Sequence, residues 1–130
     1  QGAILLQKVA ESYLEREREN YPISFSENNT ILDFYPLIEG IIQDLANKQE
    51  QATIAYKFHL WVVQAIVTRL EQIPQLTKQE ATAVFSGGCF QNRLLTTLLI
   101  EEMDKSSIKY YFNQSVPIND AGIAFGQAIL

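Results

Sequence analysis

The residues of this 130-residue chain whose types and spacing suit chemistry are Ser86-Gly87-Gly88-Cys89-Phe90-Gln91-Asn92-Arg93 and, further on, Asn119-Asp120. The two glycines follow the apolar run Ala81 to Phe85 and precede a helical pattern with Leu94, Leu95, Leu98 and Leu99 on one side. A strand–Gly-Gly–helix unit suits the phosphate or ribose of a nucleotide. Glycine lets the backbone approach a ligand, and a helix start offers N–H groups with partial positive charge. The same spacing has a purely conformational reading, in which Gly87 and Gly88 serve only the angles of a tight turn. Asp120 divides in the same way: an aspartate before a helical run is a common N-cap, whereas a carboxylate beside a bound phosphate can hold a divalent metal ion.

Two other reactive side chains carry less. His59 is the sole histidine and lies on an apolar helical row with Ala55, Val62, Val63 and Ile66, so a packed core histidine is expected. One histidine also excludes any two-histidine metal motif within these residues. Cys89 follows the glycines, where a helix start would stabilise a thiolate, but no histidine base is near it in sequence. It is expected to be a packed small residue. A lone cysteine rules out an internal disulfide and fits a cytoplasmic setting.

Positioning these groups requires an α/β arrangement. Ala3 to Tyr13 reads as a helix, followed by the charged run Glu15 to Glu19, a solvated helix end. Pro22 opens an extended segment around Ile23 and Phe25, Ser26 to Asn29 turns, and Thr30 to Leu32 returns, giving a hairpin. Asp33 is placed to cap a helix over 34–46, with Pro36 in its first turn. The longest helix runs from Ala52 to Ile73 and is apolar on two faces, as for a helix packed on two sides. Beyond the loop at Pro74, Ala81 to Phe85 is a short strand of buried type. Phe90 to Met103 is a helix, Ile108 to Phe112 a second strand, and Asn119-Asp120 opens a last helix in which Gly122 and Gly126 permit close packing. The two strands, joined by a crossover helix, are expected to be parallel, so their C-terminal ends would bring Gly87-Gly88 and Asp120 to one crevice.

Composition narrows the function. Hydrophobic residues make up 47% and charged residues 19%, the balance of a globular domain. The net charge is −5 and the ten basic residues are scattered, so no nucleic-acid partner is expected. No apolar run reaches the ~18 residues of a membrane span. The chain starts at Gln1-Gly2 and stops at Leu130 inside a helical pattern, and is expected to be a piece of a longer protein.

Thr82-Ala83-Val84-Phe85-Ser86-Gly87-Gly88-Cys89-Phe90-Gln91-Asn92-Arg93-Leu94-Leu95 closely resembles the strand and turn of the C-terminal, Kae1-like domain of the HypF carbamoyltransferases of [NiFe]-hydrogenase maturation. Val116 to Ala128, with Asn119-Asp120-Ala121-Gly122, is similar to that family's closing segment, in the same order. Milder similarity at Gln1-Gly2-Ala3, Leu32-Asp33, Pro36-Leu37 and Phe58-His59 extends the likeness over 1–130.

The resemblance implies the second lobe of an actin-like, ATP-binding fold. It also implies an enzyme that makes carbamoyl-adenylate from carbamoyl phosphate and ATP and passes the carbamoyl group to the C-terminal cysteine of HypE. By the same resemblance Gly87 and Gly88 would lie against the nucleotide, Asn92 would hydrogen-bond it, and Asp120 would ligate a divalent metal. Which residues are catalytic is left unknown by the resemblance. The family's histidine metal ligands and its acylphosphatase-like, zinc-finger and YrdC-like domains lie outside these residues. The chain alone is therefore expected to be inactive, and its exposed lobe interface to favour self-association. The related tRNA threonylcarbamoyl-transferases differ at Phe90-Gln91-Asn92 and at Asp120-Ala121-Gly122, and small-molecule O-carbamoyltransferases share the same adenylate chemistry. A non-catalytic module that uses the crevice to dock a partner is the alternative from another class.

Overall fold

The computed structural model describes residues 2–11 and 19–113. The closing segment with Asp120, Gly122 and Gly126, and most of the charged run before Glu19, lie outside the described residues. The chain divides into two compact units at Arg69/Leu70.

In the first unit, α1 spans Gly2–Glu11 and buries Ala10, while Ile4 and Leu5 of its apolar stripe are exposed. Strands β1 (Ser24–Phe25) and β2 (Leu32–Asp33) form the expected antiparallel hairpin, with Ser24 opposite Asp33 and Phe25 opposite Leu32. The turn between them needs left-handed backbone at Asn28 (φ 59°) and Asn29 (φ 56°). Asparagine tolerates that region better than most residues, which explains the Asn-Asn pair.

Helix α2 (Tyr35–Ala46) follows, with Pro36 in its first turn. Phe34, not Asp33, occupies the N-cap position. Asp33 stands one residue earlier and still satisfies an orphan donor, its Oδ1 accepting from the Tyr35 N–H at 2.9 Å. Helix α3 (Gln51–Glu71) is the longest element, and its buried residues, Ala55, Tyr56, His59, Leu60, Trp61, Val63, Ala65 and Val67, cover more than one face as its pattern predicts.

The core of this unit gathers Tyr21, Leu37 and Trp61, with Ile23, Leu32, Ile41, Phe58 and Val62 against them. Its polar atoms are paired inside it. The Trp61 indole N–H donates to the Pro22 carbonyl (3.0 Å), and the Tyr21 hydroxyl donates to Asp44 Oδ2 (2.8 Å). Lys57 Nζ reaches the same oxygen at 2.7 Å and lies 4.3 Å from the centre of the Tyr21 ring. Gly40 makes this packing possible, since a Cβ there would stand 2.6 Å from Tyr21 Cδ1. Its opposite face leaves Ile38, Ile42 and Leu45 exposed.

In the second unit, the loop expected at Pro74 contains a single helical turn, α4 (Pro74–Thr77), begun by the proline itself. Strand β3 (Ala83–Phe85), helix α5 (Arg93–Lys105) and strand β4 (Tyr110–Phe112) complete the described residues. Strands β3 and β4 pair in parallel, Ala83 with Tyr110, Val84 with Tyr111 and Phe85 with Phe112. Helix α5 buries Leu94, Leu95, Leu98, Leu99 and Met103. Strand β3 alternates rather than being buried throughout: Ala83 and Phe85 are buried while Val84 is exposed, as is its partner Tyr111.

Candidate functional site

Because β3 and β4 run in parallel, their C-terminal ends, Phe85 and Phe112, share one edge, where ligands of α/β sheets characteristically bind. The segment 86–92 leaves β3 at that edge. It does not enter a helix at once: Gly88–Gln91 form one 3-10 turn and α5 begins only at Arg93. The α-helical N–H groups therefore start three residues later than a helix from Phe90 onward would place them.

The two glycines differ physically. Gly87 has φ 116° and ψ 161°, a region that residues with a Cβ hardly reach. Gly88 lies outside the left-handed region, and a Cβ added to it would meet no atom of the described residues within 4 Å. Conformation demands glycine at 87; neither conformation nor crowding demands it at 88.

Asn92 is the N-cap of α5: its Oδ1 accepts from the Leu95 N–H at 3.0 Å. An asparagine directly before a helical run is a cap signal legible in the sequence. Its carboxamide thus has a structural task as well as the expected one towards a nucleotide. Cys89 is exposed, not packed, and lies in the 3-10 turn that precedes α5. His59 is a core histidine as expected, 3% exposed, with Nδ1–H donating to the Ala55 carbonyl at 2.8 Å. Asp120 lies outside the described residues, so the structure describes Gly87, Gly88 and Asn92 together but not their expected fourth partner.

Two residues that sequence patterning does not single out fasten the turn. The Phe90 N–H donates to the Gly87 carbonyl (3.2 Å), and the Phe90 carbonyl accepts from the Thr96 hydroxyl (2.9 Å). The Phe90 ring packs 5.6 Å from Phe85 and 5.5 Å from Phe112, centre to centre, which ties the turn to the ends of both strands. A hydroxyl reaching six residues back has no periodic signature, whereas the aromatic residues at both strand ends are visible in the sequence.

The titratable groups with perturbed acidity stand elsewhere. Burial alone would raise the Asp44 carboxyl, but hydrogen bonds from Lys57 and Tyr21 and the Lys57 charge outweigh it and hold it below the usual carboxylate value. Burial, then the hydrogen bond to Asp44 and its charge, raises the Tyr21 phenol. Its hydrogen bond to Asp104 raises Tyr110. Among the described residues no group of three or more His, Cys, Asp or Glu could hold a metal, and no helix is long and apolar enough to cross a membrane.

The family model for the carbamoyltransferase Kae1-like domain, second subdomain, matches residues 1–127. The chain is 32% identical over 113 residues to the carbamoyltransferase HypF of Synechocystis sp., covering 85% of this chain and 14% of that protein. It is 33% identical over 96 residues to the carbamoyltransferase HypF2 of Cupriavidus necator, covering 74% of this chain and 11% of the relative. It therefore spans only a small part of the curated relatives it matches. Among solved structures, a full-length HypF in a phosphate- and nucleotide-bound form superposes with a TM-score of 0.80 at 31% identity, over 98% of this chain and 16% of that one. The HypF of T. kodakarensis, at 22% identity and a TM-score of 0.78, shares the fold.

Proposed function

Because this chain belongs to the HypF carbamoyltransferases, as the second subdomain of their Kae1-like domain, we propose that it forms one wall of a nucleotide site in a carbamoyltransferase. The whole protein would use carbamoyl phosphate and ATP to form carbamoyl-adenylate and transfer the carbamoyl group to the C-terminal cysteine thiol of HypE. The observation that carries this reading is Gly88, a glycine that neither its backbone angle nor any neighbouring atom of the described residues requires, at the C-terminal edge of a parallel strand pair. Close approach of a ligand to the backbone supplies the missing reason. The nucleotide-bound state of the structural relative supports the same reading.

In this site Gly87 shapes the turn, Gly88 keeps its surface bare, and Asn92 reaches the nucleotide from the start of α5. Asp120 would give one carboxylate to a divalent metal, the other ligands coming from outside these residues. Among the described residues no group of three or more His, Cys, Asp or Glu forms such a set. Carbamoyl-adenylate hydrolyses if released, so the rest of the domain would have to enclose it. The isolated 130 residues would then transfer nothing, and the exposed Ile4, Leu5, Ile38, Ile42 and Leu45 would favour self-association. A cytoplasmic setting fits this chemistry.

The test is carbamoyl transfer from carbamoyl phosphate and ATP to a HypE C-terminal peptide by the full-length protein carrying Gly88→Ala. The substitution suits the turn, since the added Cβ meets no atom of the described residues within 4 Å and φ lies outside the left-handed region, and is expected to impair transfer at least tenfold. Asp120→Ala is expected to abolish it. Unchanged rates in Gly88→Ala would remove the nucleotide reading of the turn, and transfer by the isolated chain would overturn its expected inactivity.

A further inference from the structure

We infer that Thr96, acting through Phe90, is a positioning residue that holds the Gly87-Gly88 turn in its ligand-receiving conformation, an inference that rests on the nucleotide reading above. Two consecutive glycines form the least constrained backbone a chain can have, so a defined turn there must be held from outside. Among the bonds described for it, the hold comes from the downstream side. Phe90 N–H closes on the Gly87 carbonyl, the Phe90 ring is wedged against Phe85 and Phe112, and the Phe90 carbonyl accepts from Thr96 Oγ1.

The Thr96 bond is unusual in direction. A threonine in a helix ordinarily turns its hydroxyl to a carbonyl three or four residues back within the helix. Here the carbonyl four residues back, that of Asn92, accepts from the Thr96 N–H at 3.1 Å, and the hydroxyl passes beyond the helix start to Phe90. Thr96 stands beside the buried Leu95, Leu98 and Leu99, on the part of α5 fixed by the core. The hydroxyl therefore carries the rigidity of α5 to the turn. Without it the turn samples other conformations, and apparent nucleotide affinity falls by the fraction of time it spends in them.

Thr96→Val removes the hydroxyl at constant shape, and Thr96→Ser restores it. In the full-length protein, ATP binding is measured by equilibrium dialysis, scoring the binding component that Gly88→Ala weakens, together with transfer kinetics. Thr96→Val is expected to weaken that component about three- to tenfold, the range for one neutral hydrogen bond. KM for ATP rises while kcat at saturation is kept, and Thr96→Ser binds as the parent does. A purely structural hydroxyl would lower the melting temperature and leave ATP affinity unchanged. If Gly88→Ala weakens ATP binding and Thr96→Val does not, the positioning role is overturned alone. If Gly88→Ala has no effect, the nucleotide reading falls and the positioning role with it. Should Thr96→Val not fold, Phe90→Leu, which keeps apolar bulk but loses the ring contacts, takes its place with the same expected loss.

Discussion

At Asn92 a single alanine substitution would confuse the observed helix cap with the proposed nucleotide contact, and a series of three separates them. Its Oδ1 caps α5 through the Leu95 N–H at 3.0 Å, so Asn92→Ala removes a helix cap whatever else it does. Loss of such a cap costs about 1 kcal/mol of stability and lowers the melting temperature. If the carboxamide also donates to a nucleotide, a further 1–3 kcal/mol or so disappears from binding, a weakening of about five- to 150-fold. Asn92→Ser keeps an oxygen for the cap and lacks the amide donor. Asn92→Asp keeps the cap, adds a negative charge favourable at a helix N-terminus by about 0.3–1 kcal/mol, and repels phosphate. The expected order of thermal stability is therefore Asp, then the parent and Ser, with Ala last. For ATP affinity the parent leads, and Ala, Ser and Asp all fall. Thermal unfolding and ATP titration of the full-length variants read the two orders separately. If Asn92→Ser and Asn92→Asp bind ATP like the parent while only Asn92→Ala weakens it, the residue is a cap and its assignment to the nucleotide is wrong.

The core of the first unit makes two further predictions. In Gly40→Ala the helix-propensity gain of about 1 kcal/mol is opposed by a Cβ placed 2.6 Å from a ring carbon of Tyr21, an overpacking that costs about 1–3 kcal/mol. The ring cannot easily yield, because its hydroxyl is bonded to Asp44. Urea unfolding followed by the sole tryptophan, Trp61, which lies in the same cluster, should show a net loss of about 1 kcal/mol that turns into a gain in a Tyr21→Ala background; a gain in the parent would refute the clash. Asp44 titrates below its ordinary value when folded, so its ion pair stabilises above the unfolded carboxylate's pKa and that contribution is lost as pH falls through the lower folded value. The acid side of a plot of urea midpoint against pH should flatten in Asp44→Asn, and an unchanged slope would show that the carboxylate is not linked to folding. For Tyr21, whose phenol is raised, the corresponding contribution is present below its unfolded value and is lost on the alkaline side.

What could be read from the sequence follows from which interactions are periodic. The hairpin, α2, α3, α5 and the parallel pair β3–β4 all announce themselves through spacings of two or about 3.6 residues and through turn residues at their ends. Errors collect where a side chain bonds to something outside that repeat. Asp33 is displaced from the cap position by Phe34, although its carboxylate still serves the helix. A helix assumed from Phe90 begins at Arg93, because Asn92 caps it and a 3-10 turn intervenes, and Cys89 within that turn is exposed. The partners of Asp44 are 23 residues before it and 13 after it, and Thr96 finds its acceptor six residues back, outside its own helix. None of these separations leaves a mark in a hydrophobic pattern. The site is a sharper case. Sequence alone treats Gly87 and Gly88 as one motif with one explanation, but their backbones part them: 87 must be glycine for its angles, and 88 need not be for any reason within the described residues. The described residues tolerate a side chain at such a position, so the bare backbone at 88 argues for a requirement imposed from outside them, and the ligand is the candidate that Gly88→Ala addresses directly.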